Sequence, residues 1–180
     1  MLRTLSKPIL FAITLAISTG PVSADPISAE LATQIEAYKA KLTKWAAEPA
    51  VIATAKVASE HGALAGMNNA TWESLKDNDG AVEGFRQTPA SAHIREWEKD
   101  PHISKIFLRD KAGNLAAAGI KKPFIYNVVN RPPFKNAVTG NAWADNQLKK
   151  DPSTEEMVVQ ISVPVKDGEQ VVGVLHTAIK

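Results

Sequence analysis

The pattern of residues 157–179 decides the fold class. It reads Met157-Val-Val-Gln-Ile-Ser-Val-Pro-Val165, then Lys166-Asp-Gly-Glu169, then Gln170-Val-Val-Gly-Val-Leu-His-Thr-Ala-Ile179. Two runs rich in β-branched residues flank an Asp-Gly pair, which is typical of a hairpin turn. Pro164 has no backbone N–H, so we expect it at a strand position that donates no hydrogen bond to a neighbouring strand. The stretch predicts an antiparallel hairpin.

A second strand-turn-strand pattern lies upstream, at residues 103–119. The apolar run from Ile103 to Leu108 predicts one strand, and residues 115–119 predict its partner. Residues 110–114 between them predict a tight turn in which Gly113 supplies a positive φ. Two hairpins therefore make up the second half of the chain.

The first half has helical periodicity. One apolar stripe recurs at three- and four-residue steps through Ile27, Leu31, Ile35, Tyr38, Leu42 and Trp45. It predicts a helix of about five turns that starts at Asp25-Pro26 and ends at Glu48-Pro49.

Shorter elements follow this long helix. We predict helices over residues 50–60 and 91–99, a short helix capped by Thr71, and a turn at residues 77–80. Helices first and an antiparallel sheet second define an α+β fold, with the long helix packed on the sheet.

The N-terminus has the pattern of a cleaved signal peptide. Basic residues at 3 and 7 precede the apolar run 9–17, and Val22-Ser23-Ala24 forms a small-residue cleavage site. An uncleaved anchor ranks lower, because the run is about half the roughly 20 residues that span a bilayer. We therefore predict a signal peptide at residues 1–24, a periplasmic location without stable membrane insertion, and one domain at residues 25–180.

Charge and residue types exclude several classes of function. Removal of Arg3 and Lys7 reduces 21 basic side chains to 19, equal to the 19 acidic ones, so we expect no nucleic-acid partner. The chain has no cysteine, and its four histidines lack metal spacing. No motif points to a cofactor, a metal site or a catalytic residue.

The segment between the hairpins carries the candidate site. Residues 126–145 combine Tyr126, Arg131, Phe134, Trp143 and Asp145 in a stretch rich in Pro and Gly. Arg131 suits a carboxylate, the three rings suit an apolar ligand body, and Asp145 suits a hydroxyl or an amine. Alternatively, Arg131 and Asp145 form a structural salt bridge and the rings fill the sheet face. A lone strand histidine such as His176 is more often a packed or surface residue than a catalyst.

The order of these motifs resembles the extracytoplasmic, PAS-like sensor family called Cache, or PDC, in its single-module form. The resemblance rests on the long N-terminal helix, on the 106–114 and 131–137 motifs and on the last hairpin. It implies a five-stranded antiparallel sheet packed on the long helix, with a ligand bound over the sheet. The Tyr126–Arg131 spacing and Trp143-x-Asp145 match a variant that binds amino acids. Pro133 stands where that variant has Trp, and the final strand lacks its Asp, which argues against an α-amino-acid ligand.

Three functions follow, in this order. The first is an exported, non-enzymatic small-molecule-binding module whose ligand is a small organic carboxylate. Receptors of this family continue into a transmembrane helix, whereas this sequence stops at Lys180. We therefore expect the module either to pass its ligand-bound state to a membrane receptor or sensor kinase, or to sequester or carry the ligand. The second is an adaptor or oligomerisation module that uses the helix stripe as its seam. A secreted enzyme ranks third.

Overall fold

The structure is a computed structural model that describes residues 27–180. The predicted signal peptide at residues 1–24 lies outside the described residues and stays a prediction. The predicted helix start at Asp25-Pro26 is wrong, because the helix begins at Ala29 with Ser28 as its N-cap.

The described chain begins with helices and ends with a sheet. The helices are α1 (Ala29–Ala46), α2 (Pro49–His61), α3 (Asn69–Ser74), α4 (Gly80–Arg86), α5 (Pro89–Trp97) and α6 (Pro132–Ala137). The strands are β1 (Ile103–Asp110), β2 (Leu115–Ala118), β3 (Trp143–Ala144), β4 (Lys149–Lys150), β5 (Met157–Asp167) and β6 (Gln170–Ile179).

Helix α1 is the long helix that the apolar stripe predicts. Ser28 caps it, since its hydroxyl accepts a hydrogen bond from the Leu31 N–H at 3.2 Å. Its buried side chains are Ile35, Tyr38, Leu42 and Ala46, which pack against the sheet. The predicted break before Pro49 is confirmed, because α2 starts there.

One prediction between residues 62 and 102 is wrong. Asn68, not Thr71, caps α3, because its side chain accepts from the N–H groups of Ala70 and Thr71. The predicted turn at residues 77–80 is confirmed at Asp77 and Asn78, where the Asp79 N–H donates to the Lys76 carbonyl at 3.1 Å. This turn leads directly into α4, whose N-cap Asp79 accepts from the Ala81 N–H at 2.9 Å.

The sheet is antiparallel and open. Its strands lie in the order β2-β1-β6-β5-β3, and β4 pairs with β5 beside this path. This is a PAS-like sheet, so the α+β class and the five-stranded path are confirmed, with β4 as a two-residue addition. Gly113 and Gly168 in the two predicted hairpin turns have φ values of 84° and 61°.

The two faces of the sheet have different roles. Successive side chains of a strand alternate between faces, and one set packs against α1, α2 and α5. That set includes Ile106, Leu108, Ile161, Val163 and Leu175. The other set belongs to the face on which α6 packs, through Phe134 against Val174. The second face is therefore free of the long helices and is where a hollow can form.

Gly173 allows α2 to approach β6 closely. A Cβ at this position would lie 2.4 Å from the backbone oxygen of Arg109 and 2.9 Å from the Ala55 Cβ. Real Cβ atoms do not tolerate a backbone oxygen at that distance. Glycine is therefore required here by packing between β1, β6 and α2.

We expect Gly173→Ala to lower the free energy of unfolding by about 1–3 kcal/mol, because the added methyl must displace the β1 backbone or α2. The control is Gly84→Ala in α4, where a Cβ meets nothing within 4 Å. It should leave stability unchanged or raise it by up to about 1 kcal/mol. Urea denaturation measures both, and equal stability of the two variants would contradict the packing argument.

Candidate ligand-binding site

A hollow of about 280 Å³ opens on the sheet face opposite α1 and α2. Its floor consists of strand side chains, namely Lys105, Phe107, Arg109, Ser162, Val174 and His176. Its walls come from the segment before and within α6, from β3, and from the residues that follow β4. Three long sheet strands, β1, β5 and β6, and an irregular, proline-rich segment therefore enclose it together.

Four of the five predicted site residues line this hollow. They are Arg131, Phe134, Trp143 and Asp145. Two elements bring them together. Helix α6 positions Arg131 and Phe134, and strand β3 with the residue after it positions Trp143 and Asp145.

Tyr126 does not line the hollow, and this part of the prediction is corrected. Its side chain is 1% exposed and packs with Trp72 and Phe85 in a second apolar cluster near β2. Its hydroxyl accepts a hydrogen bond from the Leu64 N–H at 3.0 Å. The residue contributes to the site through its backbone, because its carbonyl accepts from Arg109 Nη1 at 2.7 Å.

Helix α6 presents Arg131 and Phe134 in different ways. Arg131 is the N-cap residue and is exposed, and Pro132 and Pro133 form the first turn, where no backbone donor is needed. Phe134 is buried and packs on Ala137 and on Val174 of β6. The sequence predicted a loop-rich insert without a core element, whereas this short helix contributes buried side chains to the far sheet face.

Asp145 pairs with Lys149 and not with Arg131. The Asp145 Oδ2 to Lys149 Nζ distance is 2.8 Å, and the Asp145 N–H donates to the Gln160 carbonyl at 2.8 Å. Within residues 27–180, no carboxylate lies within 4.0 Å of the Arg131 guanidinium. The alternative of an Arg131–Asp145 salt bridge is therefore wrong.

Arg109 is the buried cation of the site. It lies on β1, is 3% exposed, and forms one hydrogen bond, from Nη1 to the Tyr126 carbonyl. Its Nε is buried without an acceptor, and no carboxylate of the described chain forms a salt bridge with it. Burial lowers the pKa of Arg109 to about 10, although nearby Asp110 favours the charged form. A buried guanidinium with free donors is costly unless an anion compensates it.

Lys105, also on the floor, is already neutralised. Its ammonium forms an ion pair with Asp151, whose side chain is fully buried. Burial opposes ionisation of this carboxyl, but hydrogen bonds from Lys105 and Ser153 lower the pKa of Asp151 to about 2. The pair fixes the residues after β4, including Pro152 and Ser153, at one side of the hollow.

His176 contributes a neutral imidazole to the floor. Its Nδ1 lies 2.8 Å from the Ser162 hydroxyl on the neighbouring strand β5, and the ring is half-buried at the hollow. Burial lowers the pKa of His176 to about 3, and the positive charges of Lys105 and Arg109 add to that effect. The ring therefore carries no charge at neutral pH, and it can form hydrogen bonds only as a neutral group.

Glu98, the C-cap residue of α5, positions the segment that leads to the hollow. Its Oε2 accepts a hydrogen bond from the Ile120 N–H at 2.9 Å, and a Cβ on Gly119 would collide with the same carboxylate. Further along, the Trp72 indole donates to the Pro123 carbonyl at 2.7 Å. These contacts fix the start of the wall formed by Pro123, Phe124 and Ile125.

No group of acidic, histidine or cysteine side chains with metal-binding geometry occurs among residues 27–180. None of the helices described is both long and apolar enough to cross a bilayer.

Comparison with known proteins gives likeness at the level of fold. No protein-family model and no curated protein matches the chain. The sensor domain of the V. cholerae histidine kinase DctB aligns with 13% identity and a TM-score of 0.46, over 84% of this chain and 57% of that one. The E. coli DcuS sensor domain aligns with 9% identity and a TM-score of 0.41, over 71% of this chain and 91% of that one. Ligand-binding domains of chemoreceptors are also among the matches.

The fold is PAS-like. The strand order and the helices on one sheet face support this assignment, and they agree with the resemblance seen in the sequence. The matches also include an enzyme, the free methionine-R-sulfoxide reductase of Thermoplasma acidophilum, with 17% identity, a TM-score of 0.38, and coverage of 49% of this chain and 70% of that one. This chain spans little more than half of the DctB structure.

Sequence reasoning missed Arg109, Lys105 and Asp151 as members of this site, and it left open whether His176 faces the hollow or points away from it. A signal for Arg109 was present, because an arginine within an apolar strand must either be paired or face a cavity. The Lys105–Asp151 pair joins residues 46 positions apart, and no local pattern indicates such a pair.

We expect acid to destabilise the protein through His176. Its pKa is about 3 in the folded chain against 6.5 when unperturbed, so the unfolded chain binds the proton more tightly. Stability therefore falls as the pH drops below about 6.5, by up to about 2 kcal/mol at pH 5. His176→Gln should lose less stability than the wild type between pH 7 and pH 5 in urea denaturation.

The exposed His61 on α2 offers the matched control. His61→Gln should keep the pH dependence of the wild type. If His176→Gln keeps it as well, the imidazole is not buried at the hollow as described.

Proposed function

We propose that this protein is a non-enzymatic sensor module that binds a small organic carboxylate in the hollow on its sheet. The single observation that carries the proposal is Arg109, a buried guanidinium with a free Nε and no carboxylate partner in the described chain. A bound carboxylate would supply the missing counter-charge and accept hydrogen bonds from the planar fork.

The remaining lining suits such a ligand. Phe134 and Trp143 offer apolar walls, and Arg131 offers a second cation at the exposed rim. An exposed cation contributes less to affinity than a buried one but attracts anions from solution. The roles of the two arginines thus differ, with Arg109 as the anchor and Arg131 as the attracting charge. The Asp145–Lys149 pair closes the wall beside them.

The adaptor alternative has lost the feature on which it depended. The apolar stripe of α1 was its expected oligomer seam, but Ile35, Tyr38, Leu42 and Ala46 are buried against the protein's own sheet. No other observation favours that function.

Location and partner complete the proposal. Export by a signal peptide at residues 1–24 would bring the module to the periplasm, where a membrane receptor or sensor kinase could read its occupied state. N-terminal sequencing of the exported protein tests the first step. An N-terminus at Met1 would contradict cleavage.

Thermal unfolding with a panel of organic acids tests the binding function. A ligand at 100 times its Kd stabilises the folded state by about 2.7 kcal/mol, which corresponds to a Tm increase of roughly 5–10 °C for a chain of this size. We expect this shift with at least one carboxylate and none with the corresponding neutral amide.

Substitutions then identify the anchor. Arg109→Gln should reduce the shift by about half or more, Arg109→Lys should retain more of it, and Arg131→Gln should reduce it least. Arg95→Gln on α5, outside the hollow, is the matched control and should behave as wild type. Circular dichroism without ligand shows that each variant folds. A full shift in folded Arg109→Gln would remove Arg109 from the site, and no shift with any carboxylate would remove the function.

A further inference from the structure

The charges around the hollow leave one buried cation without a partner. Of the four basic residues in its lining, Lys105 is paired with Asp151 and Lys149 with Asp145. Arg131 is exposed and therefore hydrated by solvent. Arg109 alone among these four is both buried and without a carboxylate in the described chain. Asp110 favours the charged form of Arg109 from nearby, but its oxygens accept hydrogen bonds from Ala112 and Asn114 and form no salt bridge with the guanidinium. A ligand anion would therefore be the first direct ion-pair partner of Arg109.

The lining has no free carboxylate for a ligand ammonium. Asp151 Oδ1 accepts from the Ser153 N–H at 2.9 Å, and its Oδ2 binds Lys105. Asp145 Oδ1 accepts from the Asn146 N–H at 3.0 Å, and its Oδ2 binds Lys149. An ammonium in this hollow would compete with two existing ion pairs, one of which involves a fully buried carboxylate. A zwitterionic amino acid would therefore find a partner for its carboxylate, Arg109, but none for its ammonium.

The rest of the lining is mostly apolar. It includes Phe107, Val128, Pro133, Phe134, Trp143 and Val174. The volume of about 280 Å³ lies near the lower end of the range for small-molecule sites, roughly 300–1,000 Å³. An anion as small as acetate would leave these walls uncovered, whereas a short chain or a single ring would cover them.

A second carboxylate on the ligand would not find a buried partner. The remaining unpaired cation, Arg131, is at the solvent-exposed rim, where an ion pair adds little. Next to the apolar walls, a second carboxylate would lose its hydration without compensation. His176 is neutral and can offer a hydrogen bond but no charge.

From these observations we infer that the site selects monocarboxylates with an apolar body, such as a medium-length alkanoate or an aryl acetate, over dicarboxylates, α-amino acids and acetate. The carboxylate contacts Arg109 at the floor, and the body lies between β6 and the walls formed by α6 and β3. This inference rests on the proposed function and narrows the ligand class of that same site.

Isothermal titration of the purified protein with matched six-carbon compounds tests it. Hexanoate has one carboxylate, hexanedioate adds a second, 2-aminohexanoate adds an ammonium, and hexanamide removes the charge. Acetate removes the body, and phenylacetate replaces the chain by a ring. We expect hexanoate or phenylacetate to bind at least about tenfold more tightly than hexanedioate, 2-aminohexanoate, hexanamide and acetate. Each of these four compounds either lacks one favourable interaction or buries a charge without a partner, and such a difference changes the Kd by about that factor.

Variants separate the two arginines. Arg109→Gln should raise the Kd of the preferred monocarboxylate by about tenfold to a hundredfold. Arg131→Gln should change its Kd by no more than about fivefold, as expected for an exposed charge. Arg109→Lys keeps the charge and serves as a second variant should Arg109→Gln not fold. Arg95→Gln is again the control.

The outcomes distinguish this inference from the function on which it rests. If hexanedioate, 2-aminohexanoate or acetate binds as tightly as hexanoate and phenylacetate, and depends on Arg109, the ligand class is wrong and the binding function stands. If neither hexanoate nor phenylacetate binds, the ligand class is wrong. If no carboxylate binds, both are wrong.

Discussion

The antiparallel pairing of β5 with β6 is the constraint on which the rest of the molecule depends. These two strands pair from Val159 with Ile179 to Asp167 with Gln170, and every other strand joins one of them directly or through β1. Because side chains alternate along a strand, this register decides which residues meet the helices and which meet the hollow. A shift by one residue would exchange Leu175 for His176 in the core, so the same pairing determines both stability and the chemistry of the site.

Much of the fold could be predicted because its signals are local. The Asp-Gly turn, Gly113 and the apolar stripe of α1 each predict an element from a few neighbouring residues, and the structure has those elements. The errors lie where several residue types serve the same purpose. The sequence favoured Thr71 as the cap of α3 and Asp25 as that of α1, whereas Asn68 and Ser28 cap them, and all four residue types favour N-caps. Helix α6 was missed because prolines, which break helices internally, are favourable in a first turn.

The candidate site was predictable only in part, for a physical reason. Arg131, Phe134, Trp143 and Asp145 lie in one segment of the sequence, and that segment folds over one face of the sheet. The polar floor comes instead from β1, β5 and β6, whose relative positions depend on pairing between distant segments. Tyr126 shows the converse, since it belongs to the same segment but its ring packs into the cluster around Trp72. Proximity in sequence therefore indicated the walls and not the floor.

The adjacent residues Gly173 and Val174 join the two sides of the sheet. The Val174 side chain lies on the floor of the hollow, and Gly173 is in close contact with Ala55 of α2 and with the β1 backbone. A movement of β6 at residue 174 would also change the distances from Gly173 to the Arg109 carbonyl and to Ala55. Those contacts are already so close that even a Cβ would not fit between them. The surface of α2 and the floor of the hollow are thus connected through a single peptide unit of β6.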